Sequence, residues 1–253
     1  MTLTLRSTIL SDPGLVRSNN EDAGIAGDRL LAVADGMGGL PAGEVASEIV
    51  IGILAEVAPP AAPEAAQAML RAAISTANNQ IRAAIGADPE RDGMGTTVTA
   101  AILAGAELVL AQVGDSRCYL LRDGRLRQLT RDDTFVQELV DQGILTPEQA
   151  RRHPQRSLVT RAVQGHDAPP AIAVLTLAAG DRLLLCSDGL SDYVDDTAIA
   201  TTLSGYPDRQ QCAEQLVKLA HQAGAPDNVT VALADVDGSG DDEITQTVVT
   251  PGG

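Results

Sequence analysis

Residues 95–129, GTTVTAAILAGAELVLAQVGDSRCYLLRDGRLRQL, alternate short apolar runs with turn signals. Thr96 to Leu103 and Leu108 to Val113 are aliphatic and β-branched and are parted by a turn at Gly105. Cys118 to Leu121 and Leu126 to Leu129 flank Asp123-Gly124, a dipeptide suited to a tight hairpin. This spacing predicts strands in an antiparallel meander.

Outward from that block the period changes. Thr2 to Leu10 reads as a strand closed by the turn Asp12-Pro13-Gly14, and the polar loop Arg17-Ser-Asn-Asn-Glu-Asp22 follows. Leu30 to Ala34 is an apolar run ending at Asp35-Gly-Met-Gly-Gly39, where glycines permit close backbone approach. Val45, Ile49, Val50, Ile53, Leu54 and Val57 share one helical stripe, with Pro41 in its first turn and Pro59, Pro60 and Pro63 expected to end it. Met69 to Ile85 carries a second such stripe. Beyond the meander, Asp132 to Arg161 is a charged, helical insertion with a helix start at Thr146-Pro147-Glu148. Strands are predicted at Ala171 to Leu177, Arg182 to Cys186 and Val229 to Val236, and helices at Ala198 to Leu203 and Gln210 to Gln222. Helices between blocks of mostly antiparallel strands point to an α+β layered fold. From Asp237 the chain turns to Gly, Ser and acidic residues, so residues 237–253 are expected to be a disordered acidic tail behind one domain over 1–236.

Composition narrows the function. A formal charge of -16 over 253 residues is the opposite of the basic footprint that nucleic acid or an anionic membrane requires. With one Phe and no Trp, the core must be aliphatic. Met1 to Gly14 lacks the pattern of a signal peptide, and no apolar run is long enough to span a bilayer, so a cytoplasmic chain is expected. Cys118, Cys186 and Cys212 are too widely spaced for zinc and read as free thiols, with Cys118 and Cys186 buried inside apolar runs.

Apolar strands deliver an Asp at their C-terminal ends in Leu-Ala-Val-Ala-Asp35, Leu-Ala-Gln-Val-Gly-Asp115 and Leu-Leu-Leu-Cys-Ser-Asp188, and Asp227 precedes the strand Asn228-Val-Thr-Val-Ala. One such Asp is an ordinary turn residue. Several at one edge of a sheet would repel unless a cation neutralised them, and all-oxygen ligation suits Mg²⁺ or Mn²⁺.

Six blocks in order carry a resemblance: Gly14 to Asp22, Val33-Ala-Asp-Gly-Met-Gly-Gly39, Met94-Gly-Thr-Thr97, Val113-Gly-Asp-Ser-Arg117, Cys186-Ser-Asp-Gly-Leu190 and Asp227-Asn-Val-Thr-Val231. With these the chain resembles bacterial members of the metal-dependent protein phosphatase family, the type 2C class. The resemblance implies a four-layer αββα sandwich, two mostly antiparallel sheets flanked by helices, with a binuclear metal centre at one edge. It implies a serine/threonine phosphatase in which a metal-activated water attacks phosphorus, acting on substrates of protein kinases in signal transduction, as a monomer. Asp35 would bridge two tight ions and the Gly36 carbonyl would bind one of them; Asp188 and Asp227 would serve the other ion. Glu21 and Asp22 would serve directly or through water, and Arg17 would hold the substrate phosphate. Asp115, Asp188 and the flap residue Ser157 would hold a third, weaker ion. The flap would be the insertion at about 132–165. Where some members have His after the bridging Asp-Gly, this chain has Met37, which puts the proton donor to the leaving oxygen on water. Asp133 is assigned no catalytic role and is expected to be solvated or to cap a helix. Two alternatives stand beside this reading: a catalytically weak phosphoprotein-binding module, and a metal-dependent hydrolase of another phosphoester.

Overall fold

A computed structural model describes residues 3–38, 42–238 and 246–251. In chain order these form β1 (Leu3–Asp12), β2 (Asp22–Gly27), β3 (Leu30–Met37), α1 (Ala42–Ala55), α2 (Pro63–Ala87), β4 (Gly95–Thr96), β5 (Val98–Ala104), β6 (Glu107–Val113), β7 (Arg117–Arg122) and β8 (Arg125–Gln128). Then come α3 (Phe135–Asp141), α4 (Pro147–Arg151), β9 (Ala171–Thr176), β10 (Arg182–Cys186), α5 (Asp188–Ser191), α6 (Asp196–Gly205), α7 (Arg209–Gln222), β11 (Val229–Gly238) and β12 (Gln246–Val249). One sheet has the order β1-β11-β10-β7-β8 and the other β12-β2-β3-β5-β6-β9, with β4 on the end of β3. Neighbouring strands run antiparallel.

The layers follow from a period of two along strands that are apolar on both faces. On β3, Leu30, Ala32 and Ala34 pack with Val50, Leu54, Leu70 and Ile74 of α1 and α2. The alternate residues Leu31 and Val33 face the other sheet, where they meet Leu183, Leu185, Ala232 and Ala234. On β10 and β11, Leu184, Cys186, Val231 and Leu233 turn the other way, toward Leu203, Leu216 and Val217 of α6 and α7. Three hydrophobic clusters between four layers give the αββα sandwich. The cysteines are buried free thiols in these layers. No helix among the described residues is long and apolar enough to cross a membrane.

Several expectations are corrected. The stretch 95–129 is not one meander, because β6 belongs to one sheet and β7 to the other, and the chain crosses between them at Gly114-Asp115-Ser116. Hydrophobic periodicity finds strands but does not say which sheet each one joins. Pro63 opens α2 rather than ending α1, since a first-turn position has no N–H bond to lose. A tail disordered from Asp237 does not describe the segment either: β11 continues to Gly238, and Gln246 to Val249 pair with β2. The β-branched Thr247, Val248 and Val249 suit a strand, while residues 239–245 lie outside the described residues. The strand β2, Asp22-Ala-Gly-Ile-Ala-Gly27, went unread because its small residues carry little strand signal, although all of it is buried.

Leu31 is fully buried between the sheets. Leu31→Ala is expected to cost about 2–5 kcal/mol and to lower Tm in a thermal melt, because opposed sheets cannot collapse onto the space left.

Candidate metal centre

The register gathers the acidic motifs at one end of the sandwich. Cys186 lies opposite Arg117 on β7 and opposite Val231 on β11. Asp188 therefore leaves β10 at the end where Asp115 enters β7 and Asp227 enters β11. In the other sheet Asp22 stands directly opposite Asp35, and Ser187 Oγ donates to Asp22 Oδ2 at 2.7 Å, which ties the two sheets together there.

The surrounding loops are held by backbone. Asn228 Oδ1 accepts from Glu21 N–H at 2.8 Å, and Asn228 Nδ2 donates to the Asn19 carbonyl at 2.8 Å. Ser47 Oγ on α1 donates to the Glu21 carbonyl at 2.6 Å, and Gly36 N–H donates to it at 3.2 Å. A Cβ at Gly36 would stand 2.4 Å from the Gly43 carbonyl oxygen and 2.6 Å from that of Glu21, so only glycine lets these three backbones meet beside Asp35.

Burial raises the carboxyl pKa values here, and like charges raise them further. Asp35 and Asp188 keep some contact with solvent yet are ringed by protein. Both are held well above the usual carboxylate range by burial, Asp35 further by Asp22, Asp188, Asp115 and Asp227, and Asp188 by Asp115, Asp192, Asp227 and Asp22. Burial pushes Asp22 up to about 6 against the Ser187 hydrogen bond. Asp115 is pushed to about 7 by burial and then by the charges of Asp132 and Asp192. Glu21 is raised by burial, with Asn19 and Arg17 opposing.

Arg17, half exposed, donates from Nη2 to Asp227 Oδ2 at 2.9 Å. The expected set Asp35, Gly36, Asp188, Asp227, Glu21, Asp22 and Arg17 is thus brought to one place. Ser157 is one step removed, because its hydroxyl donates to Asp192 Oδ2 at 2.9 Å. Sequence reasoning missed Asp192, although an acid four residues after Asp188 on a helical turn falls on the same side. Asp133 is neither solvated nor a cap: it is buried and accepts from Gly114 N–H at 3.1 Å, bracing the turn that carries Asp115, while Thr134 caps α3.

No three His, Cys, Asp or Glu side chains among the described residues are arranged around one point as metal ligands. The acids are neighbours within electrostatic reach rather than a preformed cage. Their chemistry nevertheless fits hard divalent cations. The donors are oxygens, like charges are opposed across a ladder, and Asp22 Oδ1 is buried with no hydrogen-bond partner among the described residues.

A family model for protein phosphatase 2C matches residues 18–234. The chain is 53% identical over 236 residues to the serine/threonine protein phosphatase PstP of Mycobacterium tuberculosis, covering 93% of this chain and 46% of that protein. It therefore spans about half the length of that relative. It is 37% identical over 238 residues to the serine/threonine phosphatase stp of Listeria monocytogenes, covering 90% of this chain and 94% of that protein. Among solved structures it is similar to the catalytic domain of PstP in complex with two manganese ions, with a TM-score of 0.87, 50% identity and coverage of 94% of this chain and 100% of that one.

The raised pKa values set a pH dependence for metal-free protein. A carboxyl ordinarily titrating near 4 that holds its proton to about 6 when folded, as Asp22 does, binds more protons folded than unfolded in that interval, so stability falls as pH rises through it. With Asp115 at about 7 the loss extends to neutrality. Metal-free protein is expected to melt at a lower temperature at pH 8 than at pH 5, and Mn²⁺ to raise Tm more at pH 8. Asp22→Asn should stabilise the metal-free protein at pH 8. A Tm that does not fall between pH 5 and pH 8 would contradict the charge cluster.

Proposed function

This chain belongs to the protein phosphatase 2C family, and on that footing we propose that it is a metal-dependent phosphatase of phosphoserine and phosphothreonine in proteins. The observation that carries the reading is the opposed pair Asp22 and Asp35, with its orphaned oxygen, beside a guanidinium. Asp35, the Gly36 carbonyl, Asp188 and Asp227, with Glu21 and Asp22, would hold two tight ions, Mn²⁺ or Mg²⁺; Asp115 and Asp188 would hold a third, weaker one, with Ser157 near it through Asp192. Divalent cations bound there supply a deprotonated water near neutral pH and offset charge on the phosphoryl oxygens.

The chain's own residues do the rest. Arg17 turns its forked donors to the phosphate, a planar match that lysine lacks. Its bond to Asp227 keeps it poised at the edge of the acid cluster. Met37 is a thioether with no proton to give, so the leaving Ser or Thr oxygen takes its proton from water held against Asp115. The substrates in this reading are phosphorylated proteins, which the serine/threonine protein phosphatases among its relatives support.

Phospho-Ser and phospho-Thr peptides should be hydrolysed with Mn²⁺ or Mg²⁺ and not in EDTA. Asp35→Asn is expected to abolish turnover with the circular dichroism spectrum unchanged. Persistence of activity in the variant or in EDTA would exclude the metal centre. Asp115→Ala should keep the two tight ions and lose more rate on phosphopeptides than on p-nitrophenyl phosphate, whose leaving group needs little protonation. Equal losses on both would remove Asp115 from proton supply.

A further inference from the structure

The loop carrying Arg17 also carries the two most exposed large hydrophobic residues of the described chain, Leu15 at 61% and Val16 at 70%. Single exposed apolar side chains are ordinary. This pair is different because the turn presenting it is anchored. Gly14 N–H donates to Asp12 Oδ1 at 2.8 Å, Leu15 N–H donates to the Ala225 carbonyl at 2.9 Å, and Asn228 Nδ2 donates to the Pro13 carbonyl at 3.0 Å. Gly14 has φ +76°, and a Cβ there would stand 2.2 Å from the Asp227 carbonyl oxygen, so the turn lies directly on the backbone of Asp227. Three residues on, Arg17 reaches the Asp227 carboxylate. A backbone bonded on three sides thus holds two aliphatic side chains in water beside the acid cluster.

We propose that Leu15 and Val16 form an apolar lip that receives a hydrophobic side chain close in sequence to the phosphorylated residue of the substrate, and so select among phosphoproteins. This rests on the phosphatase reading. An extended peptide advances about 3.3 Å per residue. With its phosphate at Arg17, residues one to three positions away pass Val16 and Leu15, which are one and two residues from Arg17 in the chain. Charge works in the same direction, since a surface with a net charge of -16 disfavours acidic flanks. The preorganised turn adds to the gain, because no loop has to be ordered when the side chain docks.

The test compares wild type with Leu15→Ser/Val16→Ser. The substrates are phosphothreonine peptides with leucine placed in turn at each of three positions on either side, an all-serine-flanked peptide, and p-nitrophenyl phosphate, all with Mn²⁺. For the best leucine peptide the variant is expected to lose about tenfold in kcat/KM through KM, equivalent to about 1.4 kcal/mol, with kcat within twofold. The serine peptide and p-nitrophenyl phosphate, which place nothing apolar on the lip, should change by less than twofold. Equal losses on leucine and serine peptides, or none on any leucine peptide, would overturn the proposal. Fluorescence anisotropy of the labelled peptides separates the two readings. Wild type that cleaves no phosphopeptide would fail as a phosphatase, and the lip would still stand if wild type bound the leucine peptide more tightly than the serine peptide and the variant did not. Absence of that preference in wild type would remove the lip.

Discussion

Asp22 on β2 faces Asp35 on β3 across an antiparallel ladder, where side chains are closest and like charges weaken a sheet. Asp188 and Asp227 add their charges to Asp35 from the opposite sheet, and burial withholds the water that would screen them. Left to themselves Asp22, Asp35 and Asp188 hold their protons to a higher pH than an ordinary carboxyl. The surrounding protein tolerates the conflict because the three aliphatic clusters between its layers are continuous, with Leu31, Val33, Leu183 and Leu185 shut from water immediately beneath the acidic end. Stability is gathered in the layers and spent at their edge, the usual division between a fold and its site.

That division also explains which small contacts matter. The acids come from both sheets and from two loops, so their relative positions depend on how closely those backbones approach. Asn228 joins the Glu21 and Asn19 backbone to the start of β11, and Ser187 joins β10 to Asp22. Neither side chain carries the charge of the site. Each sits next to a residue that does, Asp227 and Asp188, and each uses the hydrogen bonds of a neutral polar group to hold an arrangement that electrostatics opposes.

The strands and helices with strong apolar periods were legible in the sequence, and so were the carboxylates at strand ends. Asp35, Asp115 and Asp188 terminate aliphatic runs that leave no doubt about strand direction, and their convergence follows once those strands share sheets. Sheet membership was not legible. Gly114-Asp115-Ser116 reads as a turn within a meander, and only packing shows that it carries the chain from one sheet to the other. Asp192 and Asn228 were passed over for a related reason: one lies a helical turn beyond Asp188 and the other directly beside Asp227, and local pattern assigns no direction to a polar side chain. Asp133 read as a surface residue because nothing in the sequence shows that Gly114 N–H needs an acceptor there.

Magnitudes separate the two ends of the insertion that overhangs the site. At its root, Arg117 grips Asp132 through Nε at 3.0 Å and Nη2 at 2.6 Å, with Gln128 on the same carboxylate, and both partners are nearly closed to water. Removing one side of such a buried pair costs about 3–5 kcal/mol. Toward its tip the contacts are weaker. Arg151 stands 3.8 Å from Asp196, Arg156 stands 3.5 Å from Asp192, and the pair Arg152 and Glu148 is exposed on both sides. Exposed pairs contribute about 0–1 kcal/mol each. A cavity of about 160 Å³ lies beneath the insertion and is lined by both its ends, by Arg117, Gln128 and Asp132 at the root and by Val140, Arg151 and Arg156 beyond. Asp192 is common to both systems: it accepts from Ser157 in the insertion and adds its charge to Asp115 and Asp188 in the cluster. Charge that accumulates on the cluster therefore bears directly on the insertion where Ser157 and Arg156 meet Asp192.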